Sequence, residues 1–192
     1  MKKKDIIIGI CFIVLGIILD QVIKILVRVN MDEGNSFPII KGFFYMSHIE
    51  NTGAAWGGFS GFTIILIIVS LIILGFFIYL YRKINFKEKI VFSISLVMVI
   101  SGTIGNLIDR VFFRSVTDYL DFIIFGYDFP VFNFADILLV VGFFLFIIDM
   151  VFLSDKKEIK IDEEKDENIE TIEVVEENNE NNEEELIDER RN

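Results

Sequence analysis

Four runs of nearly uninterrupted apolar residues, 6–27, 62–81, 90–108 and 135–153, constrain this chain more than any other feature. Each approaches the ~20 residues that a helix needs to cross about 30 Å of hydrocarbon. A helix is also the open-ended structure that satisfies its own backbone where no water is available. With 53% of its 192 residues hydrophobic, the chain reads as a membrane protein. The opening MKKKDIIIGICFIVLGIIL imitates a signal peptide, but no A-x-A-like site follows and the run continues into Asp20 and Lys24, so it reads as a retained first helix.

Basic residues sort the loops. Lys2, Lys3 and Lys4 precede the first span, Arg82, Lys83, Lys87 and Lys89 separate the second from the third, and Lys156 and Lys157 follow the fourth. The positive-inside rule places all of these in the cytoplasm, with both termini inside and residues 28–61 and 109–134 outside. Both prolines, Pro38 and Pro130, fall in those outer segments, where the mixed stretches PIIKGFFYMSHIE and SVTDYLDFIIFGYDFPVF read as short strands. The fold class expected is an all-α membrane protein of four transmembrane helices with a small extracytoplasmic, strand-containing subregion.

Net charge is −11, yet residues 1–154 hold twelve acidic and twelve basic side chains while residues 155–192 hold seventeen acidic and six basic. The acidity belongs to a Glu- and Asn-rich tail without aromatics, read as disordered, solvated and cytoplasmic, and separate from a membrane domain over residues 1–154. No basic stretch of the kind that binds nucleic acid is present. Cys11, the sole cysteine, lies in an apolar run and reads as packing.

A charged side chain inside a membrane helix costs at least about 2.5–3.5 kcal/mol on insertion scales, so each needs a reason. Asp20 and Lys24 lie toward the outer end of the first span, Asn106, Asp109 and Arg110 at that of the third, Asp118 just beyond, and Asn133 and Asp136 where the fourth begins. The i,i+3 and i,i+4 spacings within this set favour one outward polar site. Lys24 and Arg110 are equally well read as snorkelling charges, which short carboxylates such as Asp118 and Asp136 do poorly. Asp149 reads as an anchor at the cytoplasmic interface, and Asp121 and Asp128 as solvated.

One histidine, His48, excludes an HExxH zinc site, and no cofactor is implied. The string Gly58-Phe59-Ser60-Gly61 is similar to the nucleophile turn of rhomboid serine proteases, but that family carries at least six spans and its histidine on a later helix. A Gly-rich loop is the better reading. What remains is a pair of carboxylates. Two that lie close cannot both ionise easily, so one keeps a proton while the other is free to act as a base, as aspartic proteolysis requires.

Four blocks then resemble those of lipoprotein signal peptidase, or signal peptidase II: LDQVIK (19–24), NTGAAWG (51–57), GNLIDR (105–110) with VTDYLDF (116–122), and FPVFNFAD (129–136). They stand in family order over roughly residues 6–154. The resemblance implies that Asp118 and Asp136 are the catalytic dyad, and that Asp20, Lys24, Asn51, Asn106, Asp109, Arg110 and Asn133 support site and substrate, Asn106 and Arg110 ordering the dyad. It also implies that Asn51 with Gly53, Gly57 and Gly58 forms a mobile outer flap. Trp56 and Tyr119 stand where the family commonly has Phe, and Phe129 where it often has Trp; all stay aromatic and bear on pocket shape. The implied substrates are diacylglyceryl-modified prolipoproteins, cut just before the lipidated cysteine at the outer face of the bacterial cell membrane, with membrane lipids as further partners. A small ion-coupled transporter or a membrane scaffold would use similar acids, but neither accounts for the four blocks together. Nothing in the sequence fixes an oligomeric state.

Overall fold

The computed structural model describes residues 3–53 and 62–153. Trp56, Gly57, Gly58, the serine-containing turn at 58–61 and the acidic tail lie outside the described residues. Among those described, four helices are long and apolar enough to cross a membrane: α1 (Lys3–Asn30), α2 (Thr63–Tyr81), α3 (Ile90–Phe113) and α4 (Phe134–Ile148), the last continued by a π-helical turn, Asp149–Leu153. Asp149 opens that turn and is buried.

The helices differ in how their apolar surface is used. Most of α3 is buried, against about a tenth of each of the other three spans, so α3 is the central helix and the others face outward. Phe77, Leu96, Val99 and Ile100 form the packed centre, with Ile13, Leu74, Leu139 and Phe146 around it. Lipid is as apolar as leucine, so close helix contact depends on small residues that admit dense packing. Gly105 shows the need: a Cβ there would lie 2.6 Å from Asp20 Oδ2 and 3.2 Å from Ala135 Cβ.

A four-stranded antiparallel sheet connects to one end of the bundle: β1 (Ser36–Ile40), β2 (Phe44–Asn51), β3 (Val116–Ile124) and β4 (Tyr127–Asp128), in that order. It occupies both stretches read as strand-forming. A register shift between Met46 and Ile49 adds a residue to β2, so that Asp118 pairs with Ile49 and Val116 with Asn51. The chain then runs back along β3, where Leu120 and Phe132 exchange backbone hydrogen bonds, before entering α4. That return lays the start of α4 beside Asp118.

The third helix runs five residues past the expected Ile108. Asp109 and Arg110 lie within this extension, on the same helix as Asn106, and α3 stops only at Arg114, which takes the left-handed cap conformation (φ 65°) with its N–H bonded to the Arg110 carbonyl.

Candidate active site

The start of α4 shows why its sequence reads NFAD. The first N–H groups of a helix lack intrahelical partners. Asn133 is the N-cap: its Oδ1 accepts the Asp136 N–H (3.0 Å), while Asp136 Oδ2 accepts the Asn133 N–H (3.1 Å), a reciprocal capping box. The two N–H groups between them are taken by other elements. Phe134 N–H donates to the Tyr119 hydroxyl of β3 (3.1 Å), and Ala135 N–H donates to Asp20 Oδ1 of α1 (3.0 Å). Asp136 is thus held at a helix start tied to α1, β3 and its own cap.

Asn133 also joins the two aspartates. Its Nδ2 donates to Asp118 Oδ1 (2.6 Å) and to Asn106 Oδ1 (3.2 Å), and Asn106 Nδ2 donates to Asp136 Oδ1 (2.8 Å). On the other side Asn51 Nδ2 donates to Asp118 Oδ2 (2.9 Å), across the diagonal that puts residues 51 and 118 on one face of the sheet. Asn51 Oδ1 in turn accepts the Gly53 N–H. Both carboxyls are therefore held by amide donors, and among the described residues neither is in an ion pair. Burial, with Asp136 adding its charge, pushes the Asp118 carboxyl up to about 7, against the pull of Asn51 and Asn133.

Behind this amide layer lies an ionic one. Lys24, fully buried, sits 2.9 Å from both Asp20 Oδ2 and Asp109 Oδ2 and donates to Asn106 Oδ1 (2.9 Å). The snorkelling reading of Lys24 is corrected: a lysine so deep is held by two carboxylates and an amide rather than by interfacial water. Asp109 and Arg110, neighbours in sequence, diverge. Asp109 turns back to Lys24 and to Arg28 (3.2 Å), whereas Arg110 lines the cavity of the two aspartates and donates to the Gly53 carbonyl (3.4 Å). Asp121, expected to be solvated, instead accepts a hydrogen bond from Ser47; Asp128 is exposed.

Several residues of this network were not singled out from sequence. Gln21 donates to Asp20, to Asp109 and to the Gly105 carbonyl. Arg28, on the Lys24 face of α1, lies 3.5 Å from Glu50 and 3.9 Å above the Phe113 ring. Glu50 accepts from Ser115 and Thr117 and meets His48 Nε2 at 3.1 Å. Burial works to raise its carboxyl, but these hydrogen bonds and the Arg28 charge outweigh it and hold Glu50 below the usual glutamate range. The i,i+4 step from Lys24 to Arg28 was the available signal.

The cavity over the aspartates has a volume of about 490 Å³; its polar side is Asp118, Asp136, Asn51 and Arg110, and its walls are apolar, with Phe129 from the segment between β4 and α4 and Val140 from α4 among them. Among the described residues no three His, Cys, Asp or Glu side chains converge as a metal site requires. A pair of carboxyls beside an apolar cavity, at one end of four helices long and apolar enough to cross a membrane, is the arrangement that a membrane-embedded peptidase of the aspartic class requires.

Comparison with known proteins gives the particular family. The family model described as signal peptidase (SPase) II matches residues 12–152. A lipoprotein signal peptidase of Clostridium acetobutylicum is 42% identical over 154 residues, covering 78% of this chain and 97% of the relative. One from Staphylococcus carnosus is 36% identical over 160 residues, covering 83% and 100%. Two solved structures described as bacterial membrane enzymes superpose with TM-scores of 0.69 and 0.67 at 37% and 36% identity, covering 74% and 76% of this chain and 87% and 94% of theirs. The chain belongs to the signal peptidase II family of aspartic peptidases and is a bacterial membrane protein.

Proposed function

We propose that this chain removes signal peptides from prolipoproteins, acting on the diacylglyceryl-modified form and cleaving just before the lipidated cysteine, with Asp118 and Asp136 as the catalytic pair. Family membership supports the reaction. The observation that carries the assignment of residues is Asn133, bonded to one aspartate through its side-chain amide and to the other through its backbone, beneath a cavity that both line.

Asp118, with its carboxyl raised to about 7, is the member suited to hold the proton. It gives its proton to the scissile carbonyl oxygen while Asp136 takes a proton from the attacking water. The water oxygen bonds to the carbonyl carbon, giving a tetrahedral diol. Asp136 then passes its proton to the departing amide nitrogen as the C–N bond breaks, and collapse of the diol restores the proton on Asp118. Arg110 and Asn51 at the cavity edge hold the peptide, and the apolar wall suits a substrate bearing acyl chains. The basic loop at 82–89 supports an orientation with both termini cytoplasmic and the site at the outer face.

Purified protein in proteoliposomes, given a diacylglyceryl-modified prolipoprotein, releases the signal peptide. Asp118→Asn and Asp136→Asn, still folded, each lose cleavage by about 10³-fold or more, because a dyad acts as one unit. Full cleavage by either variant refutes the pair.

A further inference from the structure

Two hairpin turns of the sheet contrast in chemistry. The β1–β2 turn, Lys41-Gly42-Phe43, has a charge at its head and a glycine at its positive-φ position (78°), with Phe43 and Ile40 exposed beside them. The β3–β4 turn is Ile124-Phe125-Gly126-Tyr127, closed by the Ile124–Tyr127 pair, and its two central residues both have positive φ, 51° at Phe125 and 81° at Gly126. Turns with both central residues at positive φ favour Asn, Asp or Gly, whose small or self-bonding side chains tolerate that backbone. Phenylalanine there is unfavourable locally, and the folded chain returns nothing for it: the Phe125 side chain is fully exposed, with Ile124 and Tyr127 exposed beside it.

The base of the hairpin reaches the membrane-spanning part of α4. Phe129, whose N–H bonds to the Phe122 carbonyl, shares a cavity wall with Val140 and Val141, which sit about two turns inside the membrane-spanning α4. The tip projects from that same hairpin. Its uncharged stretch, residues 122–127, ends at the exposed Asp128.

We infer that the β3–β4 tip is a membrane anchor, with Phe125 inserted among the lipids of the leaflet that faces the active site and Tyr127 at the headgroup level. The occupant is lipid because the neighbouring surface is already the lipid-facing side of α4, and because an aromatic pair with one polar tip suits the interface between acyl chains and water. The anchor holds the strand that carries Asp118 against the bilayer, beside the cavity mouth. It rests on the chain spanning a membrane and not on the assignment of the catalytic pair.

The single cysteine makes the test clean. In a Cys11→Ser background, Phe125→Cys, Tyr127→Cys and, as the reference in the exposed polar turn before β1, Glu33→Cys are each nitroxide-labelled in proteoliposomes of phosphatidylglycerol and phosphatidylethanolamine. Collision rates with oxygen, which concentrates in lipid, and with a water-soluble nickel chelate are then measured. The ratio of oxygen to nickel collisions is expected to be several-fold higher at 125 and 127 than at 33. Should the Phe125 variant fail to fold, the Tyr127 label carries the same comparison. A nickel collision rate at the tip equal to that at 33 overturns the inference. So does a tip shielded from both reagents, which would mark a protein contact instead.

Discussion

Two carboxylate clusters lie side by side in this molecule and are treated in opposite ways. In the inner cluster Asp20, Asp109 and Glu50 meet Lys24 and Arg28, and every negative group faces a cation. In the outer cluster Asp118 and Asp136 receive hydrogen bonds from Asn51, Asn106 and Asn133, which orient a carboxyl without neutralising it. Asn106 is the joint between them, accepting from Lys24 on one side and donating to Asp136 on the other. Paired charge gives a fixed scaffold, while amide-held carboxyls keep an unbalanced proton affinity, which is what chemistry needs.

The contrast breaks first at Lys24. Lys24→Met keeps the side-chain volume but leaves Asp20 and Asp109 buried without their cation, and stability in detergent is expected to fall by about 3–5 kcal/mol. A thermal unfolding midpoint within a degree or two of wild type would show that the inner cluster is not ionic in the sense described.

Asp118→Asn moves the other way. The native Asp118 carboxyl keeps its proton up to about 7, whereas in the unfolded chain it ionises near 3.8. Between those values the unfolded state releases a proton that the folded state retains, so the wild type loses stability as pH rises from about 4 to about 7. Asparagine carries no such proton. Each tenfold difference in proton affinity between the folded and unfolded chain is worth about 1.36 kcal/mol. The variant is therefore expected to be more stable than wild type by roughly 2–4 kcal/mol above neutrality, with the gain vanishing below about pH 4. Equal unfolding curves at both pH extremes would remove the distinction between the clusters.

A smaller effect separates packing from positioning at Tyr119, which is buried with its hydroxyl on the first N–H of α4. Tyr119→Phe removes one acceptor at a cost of about 1 kcal/mol. Because that N–H begins the helix bearing Asp136, kcat is expected to drop roughly three- to tenfold with KM unchanged. A lowered unfolding midpoint with unaltered kcat would leave Tyr119 a packing residue alone.

How much of this could be read from the chain depends on the kind of signal. The spans were legible because hydropathy over some twenty residues is a strong constraint, and the strands because mixed, proline-bearing segments flank them. Span length placed the end of the third apolar run at Ile108, while the i,i+3 and i,i+4 spacing of Asn106, Asp109 and Arg110 already read as helical; the helix carries all three and continues to Phe113. The structure brings Asp20, Lys24, Asn106, Asp109, Asp118, Asn133 and Asp136 into one connected network, as their clustering at one end anticipated. Arg28 escaped notice because it sits just past an apolar run, and Glu50 because it lies in the segment 28–61 read as outside the membrane, where a charge needs no explanation. Tyr119 read as an aromatic variant of the family block; that its hydroxyl caps a helix fifteen residues away depends on the return of the chain along β3.

The pH dependence of cleavage puts the carboxylate pair to its sharpest test. With wild-type protein in proteoliposomes, kcat/KM for the lipid-modified prolipoprotein is measured from roughly pH 5 to 9, the range over which a catalytic acid of this kind titrates. A one-proton fall in rate is expected as pH rises through about 7, when Asp118 gives up the proton that the pair must hold. A rate that stays level to the alkaline end of that range would contradict a protonated Asp118 as the catalytic acid.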